Sequence, residues 1–350
     1  MKKIISIVGA RPQFIKHAAI QIELQKHYIT KTIHTGQHYD DNMSEIFFSQ
    51  LNIPRPEYLL DLGNAKLQGE QTGVMMKEIE KIIISEKPDA ILVYGDTNST
   101  LAGGLVAVKE LVPLIHIESG LRSFNREMPE EVNRIITDVF SHLLFCPTEN
   151  AIINLRKEGI NHDRIYLVGD VMCDMMHLVQ KYLARPNLDC DYYFATIHRP
   201  YNTDSKDRLS NILKALNGLD NKVLLSIHPR TLSRMQIFGL TPDGYSNIMF
   251  CEPLSYIDSI IYQKYSKGII TDSGGIQKEA YILKKKCVTL RTETEWTETL
   301  KGNWNKLNFD NLLELSLDLM EEPVIEQYQQ NIYGDGFAAK EIVNIIKKHF

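Results

Sequence analysis

Three acidic residues stand where apolar runs give way to helical patterns. Asp96 follows Ala90–Gly95, Glu118 closes Leu114–Glu118, and Glu130 sits in Met128-Pro129-Glu130-Glu131, where an amphipathic stretch begins. Taken singly, Asp96 reads as a helix N-cap and Glu130 as a carboxylate answering a helix dipole. A glutamate that closes an apolar strand is harder to explain without a partner or a task. Together the three fall at one end of one expected sheet, where carboxylates can share acid–base work. Two His–Arg pairs follow later strands: His198-Arg199 after Tyr193–Ile197, and His228-Pro229-Arg230 after Val223–Ile227.

Other strand ends suit anions. The first strand runs into Gly9-Ala10-Arg11-Pro12-Gln13-Phe14-Ile15-Lys16. Gly9 allows a tight turn and Pro12 suits a first helical turn. Arg11 and Lys16 would then form either a solvated basic turn or a diphosphate site at a helix N-terminus. Thr35-Gly36-Gln37-His38 is a polar strand end, in which His38 could bind a ligand or belong to a plain loop. Further on, Thr271-Asp272-Ser273-Gly274-Gly275 joins a strand to a helix, and its glycines let backbone amides approach an anion. Glu279, one turn in, could accept hydrogen bonds from ribose hydroxyls or stand solvated. Neither GxGxxG nor GxxxxGK[ST] occurs, so dinucleotide and P-loop readings are weak.

The elements that must position these groups alternate. Strands are expected at Lys3–Gly9, Ile29–Thr35, Ala90–Gly95, Leu114–Glu118, Leu143–Pro147 and Ile165–Gly169. Amphipathic stretches such as Gln13–His27, Thr72–Glu86, Ser99–Leu111 and Glu131–Ser141 lie between them. The alternation restarts with strands at Tyr193–Ile197, Val223–Ile227, Ile248–Cys251, Gly268–Thr271 and Cys287–Leu290. Continuous apolar strands separated by helices imply parallel sheets covered on both faces. The fold class is therefore α/β, with two Rossmann-like, doubly wound domains and a central cleft. Their expected ranges are 1–168 and 169–350, with the last helix, Ala338–Lys348, a candidate to pack back on the N-terminal domain. Ligands in such sheets sit outside the carboxyl ends of the strands.

Composition excludes several classes. With 350 residues, 43% hydrophobic and 24% charged, the chain is an ordinary globular sequence of about two domains. A net charge of −5 carries no polyanion-binding signal, so no nucleic-acid partner is expected. No apolar run approaches the ~18–20 residues of a membrane span. The start, Met1–Gly9, reads as a strand and not as a signal peptide, because Arg11, Gln13 and Lys16 follow without a cleavage site. Five scattered cysteines without a CxxC pair point away from zinc or disulfide frameworks and toward a reduced, cytoplasmic setting.

The ordered blocks GARPQFIK, TGQHYD, YGDTNST, HIESGLRS, MPEEVNR, PTE, VGD, TIHR, HPR and TDSGGIQKEA resemble the non-hydrolysing UDP-N-acetylglucosamine 2-epimerases over nearly the whole chain. The resemblance implies a GT-B-like fold, no metal, no redox cofactor, a UDP-sugar substrate and a homodimer. It implies catalytic roles for Asp96, Glu118, Glu130 and His198. Arg11, Lys16, His228, Ser273, Gly274, Gly275 and Glu279 match positions that hold UDP, and Tyr256 matches an aromatic near the uracil. His38, Arg134, Arg199, Arg230 and Arg291 complete the expected substrate-binding set. Two departures, the short Arg122–Met128 loop and Trp296 where Arg-Pro is usual, are similar to relatives acting on UDP-2,3-diacetamido-2,3-dideoxy-glucuronate.

The implied reaction expels UDP from C1, which acidifies the C2 proton. Loss of that proton gives a 2-acetamidoglucal, and re-addition on the other face gives the epimer. Rival readings are a GT-B glycosyltransferase, which needs an acceptor, a hydrolysing epimerase, and a UDP-sugar-binding regulator, which needs no catalytic carboxylates.

Overall fold

The computed structural model describes residues 1–37, 54–63, 65, 67–179 and 184–350, with the backbone alone at Arg11. It divides into two compact units, Met1–Gln180 with Asn331–Phe350, and Lys181–Gln330.

The first unit holds β1 (Lys3–Val8), β2 (Ile29–His34), β3 (Tyr58–Leu59), β4 (Ala90–Tyr94), β5 (Leu114–Ile117), β6 (Leu143–Cys146) and β7 (Ile165–Leu167). These are ordered β3-β2-β1-β4-β5-β6-β7. Each neighbouring pair is parallel. Strand β4 reads AILVY and is buried throughout, as a central parallel strand with helices on both faces requires. On one face Ile5, Ile7, Ile91 and Val93 pack on Met75, Ile79 and Ile83 of helix Gln68–Glu86. That helix shows its apolar residues at spacings near four, which is the stripe such packing needs. The order reverses between β1 and β4, so the crevice beyond their carboxyl ends is the expected ligand position.

The second unit holds β8 (Tyr192–Thr196), β9 (Lys222–Ser226), β10 (Ile248–Cys251), β11 (Ile269–Thr271), β12 (Cys287–Thr289) and β13 (Asn305–Leu307). The order is β10-β9-β8-β11-β12-β13. It too is parallel at every step. Leu209, Ile212, Leu213 and Leu216 of helix Lys206–Asn217 cover one face through Val223, Leu225, Ile270 and Val288. Here the order reverses between β8 and β11.

The expected boundary at 168/169 needs correction. Helix Val171–Val179 packs on helix Arg11–Leu24, within the first unit. The chain also returns there at Asn331. Asp174 holds the returning helix, Ala338–His349, by accepting the Ala339 amide at 2.9 Å and the Ala338 amide at 3.1 Å. Asp170 N–H donates to the Tyr333 carbonyl at 2.7 Å. Helix Val171–Val179 reads VMCDMMHLV and is buried almost all round, so its sequence carries no stripe that would reveal which sheet it covers. Among the described residues no helix is long and apolar enough to cross a membrane.

Candidate active site

In the first unit the turns after β1, β2 and β4 are tied together by buried polar side chains. Gln13 is the main tie. Its Oε1 accepts the amides of Gly9 at 2.8 Å and Ala10 at 3.1 Å. Its Nε2 donates to the Tyr94 carbonyl at 2.7 Å and reaches Thr97 and Thr100 hydroxyls at 2.9 Å each. One side chain thus links the end of β1 to the end of β4. Gln37 Oε1 accepts from the Ser99 amide at 3.0 Å and the Ser99 hydroxyl at 2.7 Å, and Ser99 Oγ meets Thr35 Oγ1 at 2.7 Å.

Gly9 lies against that cluster. A Cβ at this position would stand 2.0 Å from Ser99 Oγ and 2.1 Å from Thr35 Oγ1. Gly9→Ala must therefore break the Thr35–Ser99 contact or shift the strand ends. Its expected cost is about 3 kcal/mol, read as a lower denaturation midpoint at an unchanged slope. A change below about 0.5 kcal/mol, the size of an ordinary surface substitution, would contradict this packing.

On this frame sit the candidate groups. Glu118 has φ +65°, left-handed backbone that a residue with a side chain adopts at a cost of roughly 1–3 kcal/mol. Its Oε2 lies 2.6 Å from Lys16 Nζ, and both side chains are nearly buried, at 11% and 8% exposure. Gly95, with φ +60°, lies under this pair: a Cβ there would be 3.6 Å from Glu118 Oε1 and 3.8 Å from Lys16 Nζ. Asp96 is the next residue. It is ion-paired with Arg134 NH2, and Arg134 NH1 lies 2.6 Å from Glu131 Oε2. Asn133 also donates to the Asp96 carbonyl at 2.9 Å. Glu130 opens helix Pro129–Phe140 one turn before Arg134, on the same face. Glu131, its neighbour, is buried and accepts the amides of Ser123 and Phe124 at 3.0 Å each, so it holds the 123–124 turn.

The second unit presents a His–carboxylate pair. His198 Nδ1 lies 3.1 Å from Asp272 Oδ1. Asp272 is fully buried and accepts from the amides of His198 at 3.0 Å and Arg199 at 2.9 Å, and from Asn202 Nδ2 at 3.0 Å. Burial pushes the Asp272 carboxyl up, but the His198 charge and these donors outweigh it and hold it below the usual carboxylate range. Asp272 thereby fixes the His198 ring and favours the Nδ1–H form. The His228 ring lies 5.4 Å from that of His198. His228 Nδ1 accepts the Arg230 amide at 3.1 Å, so a neutral His228 carries its hydrogen on Nε2.

Ser273 stands at the N-cap position of helix Gly274–Ile282, beside this pair. First-turn amides of a helix lack intrahelical acceptors and favour anions. A Cβ on Gly274 would stand 2.4 Å from Glu295 Oε1, so only glycine admits that carboxylate. Glu295 Oε2 in turn lies 3.0 Å from Arg291 NH2. Burial lowers the Arg291 guanidinium's affinity for its proton, but the Glu295 charge outweighs it. Arg291 NH1 is buried and meets no hydrogen-bond partner among the described residues. Glu279 is buried and accepts from Gln263 Nε2 at 2.6 Å.

The expected residues therefore fall into groups. Lys16, Glu118, Asp96, Arg134 and Glu130 gather at the β1–β4–β5 ends. His198, Arg199 and His228 gather at the ends of β8 and β9, with Ser273, Gly274 and Gly275 after β11 and Arg291 after β12. Tyr256 is buried at the start of helix Tyr256–Tyr265. Arg230 instead turns to Asp204, donating through NH2 at 2.6 and 2.7 Å. His38 and the Arg11 side chain lie outside the described residues. Gln13, Asp272 and Glu295 were not among the expected site residues. Gln13 follows an N-cap alanine that cannot form a capping box, so no sequence signal marks it, whereas Asp272 ends an apolar strand, the same signal that singles out Glu118. Among the described residues no group of three or more His, Cys, Asp or Glu could hold a metal ion.

Comparison with known proteins follows the same outline. The family model described as UDP-N-acetylglucosamine 2-epimerase matches residues 21–347. A UDP-N-acetylglucosamine 2-epimerase homolog of Methanococcus maripaludis is 44% identical over 357 residues, covering 99% of each chain. A UDP-2,3-diacetamido-2,3-dideoxy-D-glucuronate 2-epimerase of Pseudomonas aeruginosa is 43% identical over 359 residues, again covering 99% of each. The crystal structure of Methanocaldococcus jannaschii UDP-GlcNAc 2-epimerase in complex with UDP-GlcNAc and UDP superposes with a TM-score of 0.92 at 40% identity, covering 99% of each chain.

Proposed function

The chain belongs to the UDP-N-acetylglucosamine 2-epimerase family and is an isomerase of GT-B-like fold, and on that footing we propose that it interconverts UDP-GlcNAc and UDP-ManNAc by eliminating and re-adding UDP. The observation that supports this best is the Glu118–Lys16 pair with Asp96 beside it, held on strained backbone at adjacent strand ends. Backbone strain is retained where geometry must be exact for chemistry.

The C2 proton of a hexosamine is not α to a carbonyl, so direct deprotonation is too costly. Departure of UDP from C1 creates oxocarbenium character and acidifies C2. One carboxylate of the group Asp96, Glu118 and Glu130 then takes the C2 proton, giving the 2-acetamidoglucal. A proton is delivered to the opposite face of C2, and the UDP oxygen re-forms its bond to C1. Arg134 is assigned to holding Asp96, because its NH1 and NH2 groups already bind Glu131 and Asp96.

The departing diphosphate needs donors matched to its growing charge. His198, oriented by Asp272, His228 with its Nε2–H, and the Ser273–Gly275 amides are assigned that role. Glu279 is assigned the ribose and Tyr256 the uracil.

A second reading concerns the sugar. The 43% identical Pseudomonas aeruginosa relative is named for a uronate sugar, and Arg291, kept charged beside Glu295, is a cation of the kind that pairs with a uronate carboxylate. This favours UDP-2,3-diacetamido-2,3-dideoxy-glucuronate as the alternative substrate. Comparing kcat/KM for the two nucleotide sugars decides between them. A preference of about a hundredfold, about 2.7 kcal/mol at the transition state, identifies the substrate. Arg291→Lys should lower kcat/KM for the uronate more than for UDP-GlcNAc if the second reading holds. Turnover of neither sugar would overturn both readings.

A further inference from the structure

Beneath the Glu118 turn lies a buried network that the chemistry above does not use. His116, on β5, is wholly buried, as is Asp138. His116 Nε2 lies 2.7 Å from the Gly95 carbonyl oxygen, and Nδ1 lies 2.7 Å from Asp138 Oδ1. A carbonyl oxygen only accepts, so Nε2 carries a hydrogen. One hydrogen is held between Nδ1 and Asp138 Oδ1 across this contact. Asp138 Oδ2 accepts the Gly120 amide at 3.1 Å and Arg122 NH1 at 2.7 Å. Arg122 is anchored in turn by Glu158, through Nε at 2.7 Å and NH2 at 2.6 Å.

The two ends of this network matter. One end is Gly95, the left-handed residue immediately before Asp96. The other is Gly120, with φ +79°, two residues after the left-handed Glu118. Nothing intrinsic to Glu118 favours that backbone, so the surroundings must impose it. The His116–Asp138 pair bonds to both turns at once. It therefore sets the position of the Asp96 turn relative to the Glu118 turn. Burial pushes the Asp138 carboxyl up, but the hydrogen bonds and charges of His116 and Arg122 outweigh it and hold it below its ordinary value.

We propose that His116, acting with Asp138, is a positioning residue for the epimerisation: a hydrogen-bonded crossbar that holds the Asp96 and Glu118 turns at their working separation. This rests on the reading that those carboxylates move the C2 proton. His116 touches no substrate in this account and acts only through the turns it holds.

The wild-type protein is assayed first, with both nucleotide sugars. If it epimerises neither, the functional reading fails and takes the proposal with it. With wild-type turnover in hand, His116→Phe keeps the ring volume and removes both bonds. It should lower kcat about a hundredfold, the scale expected when reacting groups are displaced by about 1 Å. KM and the Kd for UDP should stay within about threefold. His116→Asn keeps a donor toward Asp138 and should recover about tenfold of that loss. The control is Ile79→Ala in the opposite core, chosen for a comparable drop in Tm. It should keep kcat within about threefold. A His116→Phe enzyme that matches this control overturns the proposal and leaves the functional reading standing. If His116→Phe does not fold, His116→Asn carries the test against the same control. An independent readout is 15N-histidine NMR, in which the wild-type protein should show a ring Nε2 hydrogen protected from exchange that His116→Asn lacks, the buried His17 giving its own signal in both. Rapid exchange at every histidine ring other than His17 would also overturn the crossbar.

Discussion

Glu118→Gln is expected to lower kcat by about 10²–10⁴-fold, about 3–5 kcal/mol at the transition state, while the Kd for UDP stays within a few-fold. The amide keeps the carboxylate's shape and cannot take a proton. Asp96→Asn and Glu130→Gln should fall in the same range if the three carboxylates share the proton traffic. Glu118→Gln should also lower Tm, because Lys16 Nζ lies 2.6 Å away in a nearly buried pair and would lose its counter-charge. The stability and catalytic effects separate in the double variant Lys16→Met/Glu118→Gln. It should regain Tm relative to Glu118→Gln and regain no turnover. A Glu118→Gln enzyme that folds, binds UDP and epimerises within a few-fold of wild type would remove Glu118 from the chemistry.

Asp272→Asn has the next largest expected effect. The carboxylate orients His198 through Nδ1 and accepts the backbone amides of His198 and Arg199 and the Asn202 side chain. Asparagine offers one carbonyl oxygen and places an NH2 group against these donors. The loss of ring orientation should cost about 10²–10⁴-fold in kcat, the range a positioned acid–base group contributes. The unsatisfied donors should cost about 1–3 kcal/mol of stability. The pH dependence follows from the sign of the Asp272 shift. Its folded pKa lies below the unfolded value, so its stabilising contribution is complete above about pH 4 and is lost as pH falls through the folded pKa. Wild-type Tm should therefore fall on acidification below about pH 4 more steeply than that of Asp272→Asn. Parallel acid limbs would contradict the assignment.

Much of this site can be read from strand ends alone. Runs such as AILVY and LIHI announce buried parallel strands, and whatever follows them lies at a carboxyl end. That logic is enough to single out Asp96, Glu118 and His198. It fails where the tie is made by a side chain from elsewhere in the chain. Gln13 reaches Tyr94, 81 residues away, and Asp272 reaches His198, 74 residues away. His116 stands inside an apolar strand, where a histidine looks like any core residue until its two partners are known. Strand β13, Asn305–Leu307, has no apolar run because Asn305 is occupied by Gln277 and Thr289. The unit boundary falls later than 168/169, and helix Val171–Val179, buried almost all round, carries no stripe that assigns it to one sheet. Arg230 lies after β9, and its strand end does not announce that its guanidinium pairs with Asp204.

The most direct test of the proposed elimination and re-addition is incubation with UDP-GlcNAc in D2O, followed by 1H NMR. The account predicts UDP-ManNAc carrying deuterium at C2, and deuterium entering C2 of the recovered UDP-GlcNAc as the two approach equilibrium. Total UDP-sugar should be conserved, with no stoichiometric release of UDP or free N-acetylmannosamine. Epimerisation that leaves hydrogen at C2 would contradict proton abstraction at that carbon. Stoichiometric release of free sugar would contradict re-addition of UDP.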